Sequence, residues 1–376
     1  MTAYYIGLMS GTSVDSIDGA LISFNGTGTI TVHATHSIDM PKNIRADLLH
    51  LTTTPTLSLE KLGLLDNALG NLFADCALHI IQHTSVPKNQ IKAIGSHGQN
   101  IFHNPNIHYT LQIANPNIIA QKTGLPTIHD FRRGDMAQGG QGAPLAPLFH
   151  HAVFYSPNKN RVILNLGGIA NISVLKPGLA YPLCGFDTGP ANSLVDALCL
   201  KYFDQPYDHN GSLSATGKIQ ENLLQTLLKD AYFDKKPPKS TGKEYFNLNW
   251  LDSHLNNPYS PEDLLATLTE LTAKTISDQI NLIKNQHFEK KFKTEVVCCG
   301  GGVYNAYLLS RLHYYLNTID SNIDLLNTEN LGLDPKWVEA ALFAWLAKMR
   351  LEEKKLNLKS TTGSNGPVVL GAIYCP

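Results

Sequence analysis

The segment Ile6-Gly-Leu-Met-Ser-Gly-Thr-Ser-Val-Asp-Ser-Ile-Asp-Gly-Ala-Leu21 constrains the fold more than any other. An apolar run from Tyr4 to Met9 reads as a buried strand. It breaks at Ser10-Gly11-Thr12-Ser13 and resumes through Ile17 to Phe24 as a second strand. The turn between them holds glycine, hydroxyls and the carboxylates of Asp15 and Asp18. A tight turn between core strands aims backbone N–H groups and short hydroxyls at one point. That suits a phosphate, with a carboxylate beside it for the divalent ion that accompanies a nucleotide. On local pattern alone such a hairpin is more often a plain chain reversal.

The same pattern recurs twice. Arg161-Val-Ile-Leu-Asn-Leu-Gly-Gly-Ile-Ala-Asn-Ile-Ser-Val-Leu175 is strand, Gly167-Gly168 turn, strand. Glu295-Val-Val-Cys-Cys-Gly-Gly-Gly-Val-Tyr-Asn305 is strand, then Gly300-Gly301-Gly302, then an amphipathic helix expected from about Tyr304 to Leu316. Two glycine hairpins in the two halves can grip phosphates from opposite sides. A later strand–GGG–helix lets backbone approach an adenosine where any Cβ would clash. Three such turns, each after an apolar strand, favour a nucleotide site over three unrelated reversals.

A chain of 376 residues suffices for two domains, and 43% hydrophobic against 16% charged residues supports a substantial core. The 30 basic residues nearly balance the 31 acidic ones, so no basic field for nucleic acid is expected. The six cysteines form no C-x-x-C, which suits a reduced cytoplasmic protein rather than a disulfide scaffold. No signal peptide or membrane span is expected. The 15 histidines offer no zinc spacing, and most read as surface or polar-pocket residues.

Strands and helices alternate along the chain. Ile30 to Ser37 reads as a third strand, and Leu57 to Ile81 carries a helical stripe of Leu62, Leu65, Leu69, Leu72, Phe73, Cys76 and Ile80. Short strands at Ile91–Gly95 and Pro126–His129 lead into Ser96-His97-Gly98-Gln99 and Asp130-Phe131-Arg132-Arg133. Asn192 to Phe203 reads as a helix. Ser260-Pro261 and Asp334-Pro335 mark the starts of two long ones. The basic stretch Asp234-Lys-Lys-Pro-Pro-Lys-Ser-Thr-Gly-Lys243 reads as a solvated loop that could rim a site. The organisation expected is α/β with two lobes: residues 1–130 with the first phosphate hairpin, and 131–376 with the second hairpin and the adenosine motif. The C-terminal tail is free to return to the first lobe.

Other nucleotide folds are excluded by their own signatures. No G-x-x-x-x-G-K-[ST] occurs, no G-x-G-x-x-G follows the first strand, and no H-R-D and D-F-G pair exists. Two phosphate hairpins and a glycine cluster describe the actin, Hsp70 and sugar-kinase superfamily.

Seven ordered blocks then become specific. They are Gly7 to Asp18, Gly95-Ser-His-Gly-Gln99, Asp130-Phe-Arg-Arg133, Gly139-Gly-Gln-Gly-Ala-Pro-Leu145, Asn165-Leu-Gly-Gly-Ile-Ala-Asn-Ile172, Gly185-Phe-Asp-Thr-Gly-Pro-Ala-Asn192 and Cys299-Gly-Gly-Gly302. Together, essentially end to end, they resemble the anhydro-N-acetylmuramic acid kinase family. Two departures stand out: Ser16, where the family usually has glycine, and Asn104-Pro105-Asn106, where an arginine is common.

The resemblance implies a two-lobed actin/Hsp70/hexokinase-like ATPase fold with the active site in the interdomain cleft. The implied activity is that of a cytoplasmic, homodimeric enzyme that uses Mg and ATP. It converts 1,6-anhydro-N-acetylmuramic acid, ATP and water to N-acetylmuramic acid 6-phosphate and ADP, in cell-wall recycling. No free 6-hydroxyl exists in that sugar, so a base must direct water at C1 and the departing O6 must take the γ-phosphate. Asp187, after the apolar run Leu183 to Phe186 and before a helix start, is expected to be that base. Local pattern alone leaves it equally a helix cap. ATP contacts are expected from Gly11, Thr12, Ser13, Val14, Asp15, Ser16, Ile17, Asp18, Gly167, Gly168, Asn171, Gly300, Gly301, Gly302 and Asn305. Asp15 and Asp18 compete for magnesium. Sugar contacts are expected from His97, Gln99, Asp130, Arg132, Asn192 and Glu329, with Arg132 suited to the lactyl carboxylate. Arg133 reads more readily as a surface ion pair. Two rivals remain: a kinase of another amino sugar with a free hydroxyl, and an ATP-gated actin- or Hsp70-like binding protein.

Overall fold

The structure, a computed structural model, describes residues 2–25, 29–53 and 56–376. Contacts divide it into two units, Met1–Val153 with Gly332–Pro376, and Phe154–Leu331. In the first unit the strands are Tyr4–Met9 (β1), Ser16–Phe24 (β2), Ile30–Asp39 (β3), Ile91–Ser96 (β4), Gln99–Asn104 (β5), Tyr109–Ile113 (β6) and Thr127–His129 (β7). The second unit has Lys159–Leu166 (β8), Ile169–Leu175 (β9), Cys184–Pro190 (β10), Lys293–Cys299 (β11) and Asp324–Asn327 (β12). The last strand, Ala372–Tyr374 (β13), belongs to the first unit.

One sheet plan appears in both units. The first sheet runs β13-β7-β4-β1-β2-β3 and the second β10-β9-β8-β11-β12. In each, three strands joined by short connections form an antiparallel meander. Two further strands, reached through helical crossovers, add in parallel to the first strand's other side. The strands read from sequence match these elements to within a residue or two at their ends, β7 for example starting at Thr127 rather than Pro126, and both glycine hairpins are meander turns: β1–β2 and β8–β9.

The helical stripe predicted from Leu57 is helix Leu59–His83, N-capped by Ser58. Its Leu65, Leu69, Phe73, Cys76 and Ile80 join Ile6, Leu8, Ile17, Leu21 and Ile94 in one core. Each such side chain contributes about 1.5–3 kcal/mol by leaving water. Helix Val338–Leu351 packs against β1, β2 and β4. It comes so close that a Cβ on Gly7 would lie 1.7 Å from the carbonyl oxygen of Ala340, and one on Gly95 2.0 Å from that of Phe343. Both glycines are therefore demanded by packing.

In the second unit, helices Pro261–His287 and Ala306–Ile319 supply Ile276, Ile280, Leu308, Leu312 and Leu316 to the core with Val162, Leu164, Ile172 and Val296. Ser260 caps the first of these helices, its Oγ accepting from the Asp263 N–H at 3.1 Å. The 304–316 expectation begins instead with a 3₁₀ turn, Gly301–Tyr304, and Asn305 caps the helix that follows. Likewise Asp334-Pro335 opens a 3₁₀ turn before the last helix.

The first unit reaches Val153, beyond the boundary expected near Asp130, and takes in Gly332–Pro376. Buried Asp135 explains part of this: it accepts from the Gly142 N–H and the Thr362 hydroxyl, both at 2.8 Å. β13 pairs with β7, and Arg350 donates to the Gly371 carbonyl. A discontinuous unit leaves no composition shift at its seam. Among the described residues no helix is long and apolar enough to cross a membrane.

Candidate active site

The β1–β2 turn leaves an open cradle of backbone and short hydroxyls. Val14 takes a left-handed φ of 55° and its N–H closes on the Gly11 carbonyl at 3.1 Å. Nothing lies within 4 Å of where a Cβ on Gly11 would sit. Ser10 Oγ is buried without a hydrogen-bond partner. A cavity of about 150 Å³ opens here, lined by Gly11, Ser13, Asp15, Asp18, Lys336 and Glu339 among others. An open cradle, an orphaned hydroxyl and acidic side chains fit a nucleotide's phosphates and their divalent ion. Thr12 and Ser13 remain accessible, whereas Val14 and Ile17 bury their side chains in the core and offer only backbone.

The two aspartates differ. Asp15 is ion-paired with Arg45 at 2.8 Å, both largely exposed. Asp18, on β2 opposite Met9, accepts from the hydroxyls of Ser16 and Ser37. Ser16, the departure from the family's usual glycine, keeps an ordinary backbone, since Val14 is the turn's left-handed residue. Its hydroxyl instead orients Asp18. Glu339, unremarked in the sequence, faces the same cavity; its protein surroundings, then Asp18, raise its pKa. The residue itself remains exposed to solvent.

At the tips of β4 and β7, His97 and Arg132 meet. Arg132 Nε and Nη2 lie 3.1 and 3.0 Å from His97 Nε2, and Nη1 donates to the Gly142 carbonyl at 2.9 Å. His97 Nδ1 lies 2.9 Å from the Gly98 carbonyl. Burial, then Arg132 and His129, hold the imidazole's pKa well below its usual value. Gln99 is buried and its Oε1 has no partner. Asp130 turns to Arg133 at 2.8 Å, so Arg133 is the ion-paired residue of the two arginines. His129 was missed: its buried Nε2 has no hydrogen-bond partner, and burial pushes its pKa to about 4. Asn104 caps the Pro105–Ile107 turn, its Oδ1 accepting from the Asn106 N–H at 3.1 Å.

In the second unit, the β8–β9 turn is braced from the start of helix Asn192–Phe203. Ala191 and Ser193 N–H donate to the Gly168 carbonyl, and Asn192 N–H to that of Gly167. Asn192 Nδ2 donates to the Leu166 and Gly167 carbonyls at 3.0 and 2.9 Å. Asn192 is thus a brace of the hairpin, and it makes no side-chain cap of its helix. The glycine cluster packs on the same hairpin. A Cβ on Gly300 would lie 2.4 Å from Asn165 Oδ1, and one on Gly302 2.6 Å from Leu166 Cβ. Of these three only Gly301 faces open space, so it is the one of the cluster free to admit a ligand. Asn305 Oδ1 accepts from the Leu308 N–H, fixing the helix start beside it. Glu329 is exposed on the turn after β12.

Register places Asn165, Asn171 and Asp187 in one row across β8, β9 and β10. Asp187 is held on three sides. Its N–H donates to the Lys239 carbonyl at 3.1 Å, its carbonyl accepts from the Tyr232 hydroxyl at 2.8 Å, and its Oδ2 accepts from the Thr241 N–H at 2.9 Å. Burial pushes its pKa up to about 6, helped by Glu244 and opposed by the Thr241 hydrogen bond and Lys239. A carboxylate in that state is charged at neutral pH yet accepts protons far better than an ordinary one.

A repeated meander sheet with a glycine hairpin in each copy is the sheet plan of the actin, Hsp70 and sugar-kinase fold. Within that class, residues 3–376 match the family model for anhydro-N-acetylmuramic acid kinase. Curated relatives of that name include one from Coxiella burnetii (strain Dugway 5J108-111), 45% identical over 98% of this chain and 97% of its own. Another, from Pasteurella multocida (strain Pm70), is 46% identical over 99% and 97%. A third, from Acinetobacter baylyi (strain ATCC 33305 / BD413 / ADP1), is 43% identical over 99% of both chains. The chain belongs to the anhydro-N-acetylmuramic acid kinase family.

Proposed function

We propose that this kinase opens the 1,6 bridge of 1,6-anhydro-N-acetylmuramic acid with water and places the γ-phosphoryl group of ATP on O6, serving cell-wall recycling. The observation that carries the reading is Asp187: a clamped, proton-accepting carboxylate on the same strand row as the second phosphate hairpin.

Asp187 takes a proton from water as its oxygen bonds to C1. The C1–O6 bond breaks, and its electron pair stays on O6. That oxygen attacks the γ-phosphorus and the bond to ADP breaks, so no separate general acid is required. With a pKa of about 6, Asp187 then returns the proton to solvent near neutrality. Thr241 occupies Oδ2, which assigns the proton transfer to Oδ1.

Backbone N–H groups around Gly11 to Ser13 and at Gly167–Gly168 hold phosphate oxygens, and Gly301 admits the nucleoside. Asp18 is the better magnesium ligand, because Asp15 already pairs with Arg45. When bound, the ion neutralises charge on the transferring phosphate. Arg132 has three of its five N–H groups committed to His97 and Gly142, leaving two for the lactyl carboxylate. Homodimer formation and a cytoplasmic location are part of the same proposal.

The test is incubation with Mg-ATP and the anhydro sugar, read by mass. A sugar 6-phosphate heavier than the substrate by one phosphoryl group (HPO3) plus one water, and lost in Asp187→Asn, is the expected result. ADP release without a sugar phosphate would sink the reading.

A further inference from the structure

The stretch 234–243, a basic run that reads as a solvated loop, is not uniformly solvated. Lys239 is only 8% exposed. Its Nζ lies 3.4 and 3.5 Å from the carbonyl oxygens of Tyr232 and Phe233, at the C-terminal end of the short helix Ala231–Asp234. The Tyr232 carbonyl also accepts the Lys235 N–H at 3.2 Å, and both carbonyls lie at the partially negative end of the helix, where an ammonium suits them. The same Nζ sits 4.8 Å above the Tyr232 ring. Tyr232 is itself fully buried, with its hydroxyl on the Asp187 carbonyl.

The backbone of this lysine then closes a loop. Its carbonyl receives the Asp187 N–H, and two residues on, the Thr241 N–H holds Asp187 Oδ2. Pro237 and Pro238 precede it and restrict the approach. A buried lysine is rare, and burial lowers this one's pKa against the pull of Asp234 and Asp187. A solvated charge run has no reason to bury one ammonium of four.

We infer that Lys239 is a positioning residue: its ammonium latches segment 235–241 to helix Ala231–Asp234, and the latch aims the Asp187 carboxylate. The inference rests on the reading of Asp187 as the base. The charged or titratable groups facing that carboxylate are Lys239 and Glu244 from the loop and Tyr232 from the helix. Lys239 favours ionisation there and Glu244 opposes it.

Lys239→Gln and Lys239→Met, each checked for fold by circular dichroism, test it in the full-length enzyme. Both should lower kcat by roughly 10–100-fold through misplacement of the base. KM for ATP should stay within about threefold, because the phosphate hairpins are untouched. Loss of the positive charge should move the acid limb of the kcat/KM profile up by roughly 0.5–1 pH unit. Lys239→Arg, which keeps the charge, should leave that limb in place. Lys239→Met removes all hydrogen-bonding capacity; if it does not fold, Lys239→Gln, close to it in length, decides. A folded neutral variant with wild-type kcat and an unmoved acid limb overturns the latch. If Asp187→Asn keeps its turnover, the base reading falls first; if Asp187→Asn is dead and the limb does not move, the latch alone is wrong.

Discussion

Arg132 directs two N–H groups, on Nε and Nη2, at a single acceptor, Nε2 of His97, at 3.1 and 3.0 Å. An acceptor facing a guanidinium cannot also carry a proton, so the His97 proton sits on Nδ1, donated to the Gly98 carbonyl. Burial beside Arg132 keeps the ring neutral. The histidine therefore acts as an orienting post for a charge, not as an acid. A planar guanidinium gripped at one edge presents its remaining N–H groups in a fixed direction.

Arg132→Lys should show this. A single ammonium cannot hold His97, Gly142 and a ligand carboxylate together. KM for the anhydro sugar should rise by roughly 10–100-fold, with the KM for ATP unchanged. Steady-state kinetics with an anhydro amino sugar that lacks the lactyl group supply the control. The variant and the wild type should then differ little. An equal loss on both sugars would detach Arg132 from the carboxylate.

Much of this was legible because the sequence pattern and the local structure have the same cause. Gly11 and Gly167-Gly168 interrupt apolar runs, and they do so at hairpins of the two meanders. Gly7 and Gly95 were legible as glycines but not as to purpose, and the packing role of Gly300 and Gly302 was not legible beside their reading as room for an adenosine. Their Cβ positions are filled by Ala340, Phe343, Asn165 and Leu166, all distant in sequence. Asn192 read equally as cap or ligand and proves to brace a turn. Lys239 and Glu339 were hidden, the first inside a charge run and the second on a helix about 320 residues from Asp18. Only tertiary packing brings either to its place.

The acid limb of kcat/KM should fall with an apparent pKa near 6. Asp187 must be unprotonated to take a proton from water, and burial has raised its pKa to about 6. Activity should therefore be lost as pH falls through that value and be level above it until other groups titrate. Burial holds His97 well below the usual imidazole value and His129 at about 4, so neither supplies the limb. A profile flat down to about pH 4.5 would show that Asp187 is not the titrating base.

The same raised pKa makes Asp187 a stability liability. Its folded pKa lies above the ordinary 3.8, so the folded state favours the protonated carboxyl. The stability that protonation confers is present at low pH and lost as pH rises through about 6. Asp187→Asn stays neutral and can still accept from the Thr241 N–H. At pH 8 it should be more stable than the wild type by about 1–3 kcal/mol, at about 1.4 kcal/mol per pKa unit. The gap should close near pH 4. Thermal melts at the two pH values check it, and equal melting temperatures at pH 8 would refute it.

Gly7→Ala should be among the most damaging single changes outside the site. The added methyl would lie 1.7 Å from the Ala340 carbonyl oxygen, a backbone atom that cannot swing away. Helix Val338–Leu351 would have to lift from β1 and β4, opening a core that contains Phe343 and Leu346. A loss of about 3 kcal/mol or more is expected, at or beyond the usual range for overpacking. Gly11→Ala, with open space around it, should leave chemical denaturation nearly unchanged while weakening ATP binding. Similar midpoints for both variants would contradict the packing argument.

The last prediction follows individual oxygen atoms. If Asp187 directs water at C1 while the bridge oxygen takes the phosphoryl group, the oxygen joining sugar to phosphorus is the old bridge oxygen. Turnover in ¹⁸O-labelled water should then put label in the anomeric hydroxyl and none in the phosphate. The incubation must be short, because the anomeric oxygen exchanges with solvent through ring opening. Hydrolysis first and phosphorylation second would give the same labelling, so a second measurement is required. The stepwise route needs free N-acetylmuramic acid to form without ATP, or to be phosphorylated well when added. Neither should occur, since O6 departs only as it meets the γ-phosphate. Free sugar accumulating without ATP would reduce Asp187 to an ordinary hydrolytic base. Label in the phosphate would mean that water attacks phosphorus, and that the chain works as an ATPase.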